Sequence, residues 1–206
     1  MTWQEIRHQV AIAGQVSDAQ TNDAIGGALV TISSGPPAFG DWLAIRAAQY
    51  GDRWAALAER PDRARTAADG QFHFLDLPDG DYTVTAALPA AGSRYGTAQV
   101  QATVSRDGQG RIALAGVTIA LPATALKGQI TGPKKQPVAM VAVRLQGTSA
   151  TTFSDANGAY LLTGLEVGSQ TLQVSAAGYQ GATRTVQLSS AGSVVTENVV
   201  LAAATS

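Results

Sequence analysis

The chain has 206 residues, 45% of them apolar and 14% charged, with a formal net charge of −1. That length admits one domain or two small ones of the usual ~100–200 residues, and so weak a charge gives no electrostatic footprint for nucleic acid or an anionic membrane. Cysteine is absent, so disulfides, thiolate metal sites and Cys nucleophiles are excluded together.

The opening stretch, residues 1–8, lacks the basic and apolar regions of a signal peptide. No apolar run approaches the ~20 residues needed to span a bilayer. The expectation is synthesis in a cytoplasm without membrane insertion, with cell lysis as the route into an extracellular particle. Residues 10–16 then alternate into a strand: Ile6, His8, Val10, Ile12, Gly14 and Val16 share one face. A second small-apolar strand covers 28–32.

Between 36 and 65 the period changes from two to 3.6. Phe39, Leu43, Ala47, Tyr50, Trp54 and Leu57 fall in a stripe ~60° wide on a helix. Arg46, Arg53 and Arg60 follow one border of the stripe, and Asp41, Asp52 and Glu59 lie on the far face. Pro37 suits the start of this helical segment and Pro61 its end, while Gly51 and Asp52 divide it in two. Two readings stand side by side. The stripe packs over its own domain, or Phe39, Trp42, Arg46, Tyr50, Arg53, Trp54 and Arg60 dock a protein partner, since Trp, Tyr and Arg are the types enriched at interface hot spots.

Strand patterning resumes at 66–74, with Phe72 and Phe74 on one face, and at 82–86, with Tyr82, Val84 and Ala86. Asp-Gly and Pro-Asp-Gly turn signals separate the runs. A last strand covers 117–121. The second half replays this order at 126–130, 141–145, 155–162, 165–168, 171–174 and 198–201, without the helical segment. The Ala-Ala-Gly of 90–92 returns at 176–178. A duplicated set of short strands with regular turns reads as tandem β-sandwiches.

In the first copy the pattern rests on Gly14, Asp69, Gly70, Phe72, Phe74, Leu77, Pro78, Gly80 and Tyr82. In the second it rests on Gly128, Asp155, Gly158, Tyr160, Leu162, Leu165, Gly168 and the turn Ala177, Gly178, Tyr179. It resembles the carboxypeptidase regulatory-like family. The resemblance implies an all-β chain of two tandem seven-stranded Greek-key sandwiches, transthyretin-like and Ig-like. Residues 1–122 form the first, with a helical insertion at about 36–65, and 123–206 the second. It also implies a looser corner at Gln170, where the family's Tyr is missing, and it brings no peptidase activity. The stretch from Arg60 to Arg63, with Asp69 through Tyr82, is similar to accessory proteins of phage-tail-like contractile injection systems.

Residue chemistry favours no reaction. His8 and His73 are the only histidines and have no zinc-peptidase spacing, so no metal and no cofactor are expected. A Gly-x-Ser-x-Gly elbow is missing. Residues 106–110 and 155–158 read as hairpin turns, not calcium or phosphate loops. A cross-link between Lys127 and Asn198 is disfavoured because alternation turns both outward. The chain therefore reads as a non-enzymatic structural or interaction component of a larger assembly, with protein partners. The alternative is a carbohydrate- or peptide-binding module presenting Trp3, Tyr95 and Tyr179 to a peptide or surface glycan.

Overall fold

The computed structural model describes residues 8–57 and 60–204. The chain divides into two compact units: Met1–Pro89 with Thr97–Leu121, and Ala90–Gly96 with Pro122–Ser206. The fold is all-β, and each unit is a Greek-key sandwich.

In the first unit the strands are β1 (Val10–Asp18), β2 (Leu29–Ser34), β3 (Arg63–Arg65), β4 (Gln71–Leu75), β5 (Gly80–Ala87), β6 (Ala98–Arg106), the two-residue β7 (Ile112–Ala113) and β8 (Ala115–Leu121). One sheet runs β4-β1-β8 and the other β3-β2-β5-β6-β7, so seven strands build the sandwich and β7 extends one edge. β8 lies parallel to β1, and β4 lies antiparallel to it. Period-two patterning aims Ile12, Val16, Val30, Phe72, Phe74, Tyr82, Val84, Val104 and Ile119 into the core between the sheets. The expected alternation fails at one place. A register shift between Val10 and Ile12 leaves Val10 40% exposed and buries Ala11 beside Ile12, as a β-bulge does.

The second unit holds β9 (Ala125–Thr131), β10 (Ala142–Leu145), β11 (Thr151–Phe153), β12 (Ala159–Leu162), β13 (Gly168–Ser175), β14 (Ala182–Leu188), β15 (Val194–Thr196) and β16 (Val199–Val200). Its sheets run β11-β10-β13-β14 and β12-β9-β15, with β16 continuing β15 along β9. Counting that interrupted pair as one strand gives seven again.

Equivalent atoms make the same bonds in both units. The Val16 N–H donates to the Gly70 carbonyl at 2.9 Å, as Ile130 does to Gly158 at 2.8 Å. Both glycines have positive φ, +76° and +73°, and a Cβ on either would meet a main-chain oxygen of the first strand. The buried Thr66 hydroxyl accepts from Ala28 N–H at 2.8 Å and donates to the Ile25 carbonyl at 2.7 Å. Ser154 repeats both bonds with Val141, 3.0 Å, and Val138, 2.7 Å. Gly14 lies opposite Phe72, and Gly128 opposite Tyr160. Among the described residues no buried side-chain nitrogen or oxygen lacks a partner, which removes the desolvation cost of unpaired polar groups.

The corner at β5 differs from expectation in one respect. Tyr82 is fully buried and donates its hydroxyl to the Pro78 carbonyl at 2.7 Å. Gln170 replaces it in the second unit, yet its side-chain amide donates to the Glu166 carbonyl, also four residues back, at 3.1 Å. The corner there keeps its hydrogen bond and loses only the ring.

Helix α1 (Pro37–Tyr50) begins after Pro36, with proline at its first position, and ends where Gly51 adopts φ +54°. A 3₁₀ turn, Gly51–Ala56, follows. This change of pitch breaks the sequence-predicted stripe. Phe39 alone is buried, edge-on to the Tyr82 ring at 5.4 Å. Trp42, Leu43, Ala47, Trp54 and Leu57 are half-buried, and Tyr50 is exposed. No helix among the described residues is long and apolar enough to cross a membrane.

Candidate interaction groove

A groove of about 710 Å³ opens on the first unit, walled by α1, by β3 with the residues just before it, and by β4. From α1 come Trp42 and Arg46, four residues apart and so on one helix face; the Arg46 guanidinium lies 5.6 Å from the Trp42 ring centre. Arg60 sits 4.6 Å over Trp54 and is clamped by both carboxylate oxygens of Asp62. Those hydrogen bonds raise its pKa against the opposing pull of burial, so it stays cationic. Arg63 reaches the Leu57 carbonyl. Arg65 lies 3.4 Å from the Gly27 carbonyl. Among the described residues, Arg46, Arg63 and Arg65 have no carboxylate partner.

The far wall is β4 and its ends. Phe72 and Phe74 point into the core, while Gln71, His73 and Leu75 point outward. At the groove's end His8 contacts Asp76, and the Gln9 N–H donates to the same carboxylate at 2.8 Å. Partial burial pushes the Asp76 carboxyl up, but the Gln9 N–H, His8 and Arg106 together outweigh it and hold the group below the ordinary range. Although the groove gathers His8, His73, Asp69 and Asp76, no three His, Cys, Asp or Glu side chains among the described residues converge as a metal site would require.

Of the residues singled out in the sequence, Trp42, Arg46 and Arg60 line this groove. Phe39 lies beneath the helix as a core residue. Tyr50 stacks obliquely on Trp54 at 6.0 Å, and Arg53 is exposed outside the groove. Trp3 lies outside the described residues, as do Ile6 and Glu59. Tyr95 and Tyr179 form equivalent β-bridges, to Ala123 and Ala203, and Tyr179 packs on the second core. Arg63, Arg65, His73 and Leu75 were missed. The available signal was the spacing of Arg63 and Arg65: two residues apart, they fall on one side of a strand.

Residues 106–110 and 155–158 are turns. Asp107 and Asp155 each accept main-chain N–H groups of their own loop. Lys127 is exposed, and so is Asn198, whose side-chain Oδ1 accepts from Gln129 N–H at 2.8 Å.

Fold and groove define a class: a tandem β-sandwich protein with a cationic, aromatic-edged groove on one sandwich. The carboxypeptidase regulatory-like domain matches residues 125–202, the strands of the second unit. No curated protein matches the chain. Solved structures similar to it include a type II cohesin–X-dockerin complex from Acetivibrio cellulolyticus, 20% identical over 39% of this chain and 58% of that one, TM-score 0.32. The minor pilin GBS52 of Streptococcus agalactiae is 18% identical over 95% and 96%, TM-score 0.34. The shaft pilin of Lactobacillus rhamnosus GG is 13% identical over 97% and 99%, TM-score 0.42. The chain spans less than three fifths of the cohesin–dockerin chain it matches.

Proposed function

We propose that the chain is a non-enzymatic structural and protein-binding component of a larger assembly, and that the groove of the first unit is its docking site. The observation that carries this reading is the arginine-and-aromatic arm, residues 37–63. It has no counterpart in the second unit, and only Phe39 of α1 is buried in the fold. A segment needed only for packing would bury more of its apolar surface. The assembly we favour is a phage-tail-like contractile injection particle, on which the chain would serve as a decorating, cap or receptor-binding protein. The likeness around Arg60–Arg63 supports that choice.

The test is co-sedimentation of the tagged chain with purified particles, followed by identification of the sheath, cap or baseplate protein retained. A variant carrying Trp42→Ala, Arg46→Ala and Trp54→Ala should lose that protein while keeping the wild-type melting temperature. Retention unchanged by the triple substitution rules out the groove, and no co-sedimentation at all rules out the particle.

A further inference from the structure

The groove runs between two strands that each have a neighbouring strand of their sheet on one side only. β4 is the outermost strand of its sheet and β3 of the other. The Gly70 carbonyl accepts from Val16 N–H, and Asp76 N–H donates to the Gln9 carbonyl. Residues 70, 72, 74 and 76 therefore turn their main-chain groups toward β1. By alternation Gln71, His73 and Leu75 turn theirs to the open side. The Gln71 carbonyl is taken by Ala67 N–H, and among the described residues the outward main-chain groups of His73 and Leu75 have no such partner. On β3, Asp62 and Thr66 face β2 through bonds to Ile32 and Ala28, the Arg63 N–H is taken by the Arg60 carbonyl at 3.0 Å, and Arg63 and Arg65 line the groove.

An exposed strand edge is a template for a further strand, and peptide recognition by strand addition takes affinity from main-chain bonds and selectivity from side-chain contacts. Here Arg46, Arg60, Arg63 and Arg65 line the groove, against Asp69 and Asp76 at the two ends of β4. Five of the chain's eleven arginines fall between residues 46 and 65, against three acids, Asp52, Glu59 and Asp62. Arg46, Arg63 and Arg65 retain donors suited to bidentate carboxylate contacts. The second unit supplies an internal contrast. Its equivalent edge strand, β11, places Thr151 and Phe153 where β3 has Arg63 and Arg65, as the pairing of Phe153 with Ala142 and of Arg65 with Leu29 shows.

We infer that the first unit captures an extended, acidic segment of a partner protein, which adds as a strand to the free edge of β4 while its carboxylates meet Arg46, Arg63 and Arg65. This rests on the protein-binding reading above and names the partner's chemistry. At about 3.3 Å per residue, four or five residues of such a segment pass the length of β4.

The experiment is selection of a displayed random octapeptide library on the full chain, with amide hydrogen exchange measured on the complex with the best synthetic peptide. Selected sequences should carry Asp or Glu at alternate positions. Binding should fall at least tenfold in the Arg63→Glu/Arg65→Glu variant at unchanged melting temperature, and exchange at His73 and Leu75 should slow on binding. Enrichment of non-acidic sequences overturns the inference, as does failure to enrich any sequence. So does acidic binding that leaves both amides unprotected, which would be charge attraction without a strand. Concentration-dependent dimers abolished by Arg63→Glu/Arg65→Glu would overturn it in favour of a second copy as occupant. If the particle protein of the preceding test is still retained by this variant, the docking reading survives and only the strand-addition inference fails.

Discussion

Gly14→Ala is the substitution for which the structure dictates both sign and size. A Cβ at Gly14 would lie 2.2 Å from the Val117 carbonyl oxygen, 2.7 Å from Val117 Cγ2 and 2.9 Å from Phe72 Cζ. Ordinary contact begins near 3.4 Å, so β8 would have to move off β1 by about 1 Å, enough to stretch a 2.9 Å hydrogen bond beyond its working range. Overpacking of this kind costs about 1–3 kcal/mol, and each lost ladder bond adds about 1 kcal/mol. A total of roughly 3–5 kcal/mol lowers the melting temperature of a unit of about 100 residues by the order of 15–25 °C. The described tryptophans, Trp42 and Trp54, both belong to the first unit, and the second unit has none, so tryptophan fluorescence reports the unfolding of the first. Gly128→Ala meets the Glu197 carbonyl oxygen at 1.9 Å and should destabilise the second unit comparably, seen by far-UV circular dichroism. Gly40→Ala is the control: nothing lies within 4 Å of its Cβ, and an exposed helix position gains up to about 1 kcal/mol from the change. A Gly14→Ala protein melting within about 3 °C of wild type would refute the reasoning.

Thr66→Val keeps the shape of the side chain and removes the hydroxyl that serves Ala28 N–H and the Ile25 carbonyl. It should cost about 2–4 kcal/mol in denaturant unfolding, because two buried groups lose their partner. Burial pushes the Tyr82 phenol up to about 12, with Asp79 adding to the rise and Arg106 opposing it. The unfolded chain thus releases this proton near pH 10 while the folded unit holds it, so stability falls as pH rises from about 10 to about 12. Tyr82→Phe should remove that part of the alkaline dependence and lower neutral-pH stability by about 1–2 kcal/mol through the lost Pro78 bond, both read from urea midpoints across a pH series. The intact mass of the purified chain should equal that calculated from its sequence, because Lys127 and Asn198 are both exposed and the side-chain Oδ1 of Asn198 is engaged by Gln129 N–H; a deficit of one ammonia would show a cross-link.

The strand order, the turns and the duplication were legible in the sequence because each is written locally. Alternation marks the buried face of a strand, and a glycine after Asp69 or Asn157 marks the left-handed turn position. The replacement of Tyr82 by Gln170 was visible too. That the amide recovers the same bond to a carbonyl four residues back was not, since it depends on the path of the loop. The helical period of 37–57 was also plain, but a single glycine conformation at Gly51 ended the helix and removed the continuous stripe. Local pattern alone supports either a covered or an uncovered helix face.

By itself the sequence determined which residues alternate, where the chain turns and that the pattern occurs twice, since these follow from backbone geometry over a few neighbouring residues. Only the tertiary structure decided that Trp42, Arg46, Arg60, Arg63, Arg65, His73 and Leu75 share one groove. They come from a helix, a connecting segment and two strands of different sheets, and long-range pairing sets their distances. Strand edges become a surface only once every other edge has found its partner.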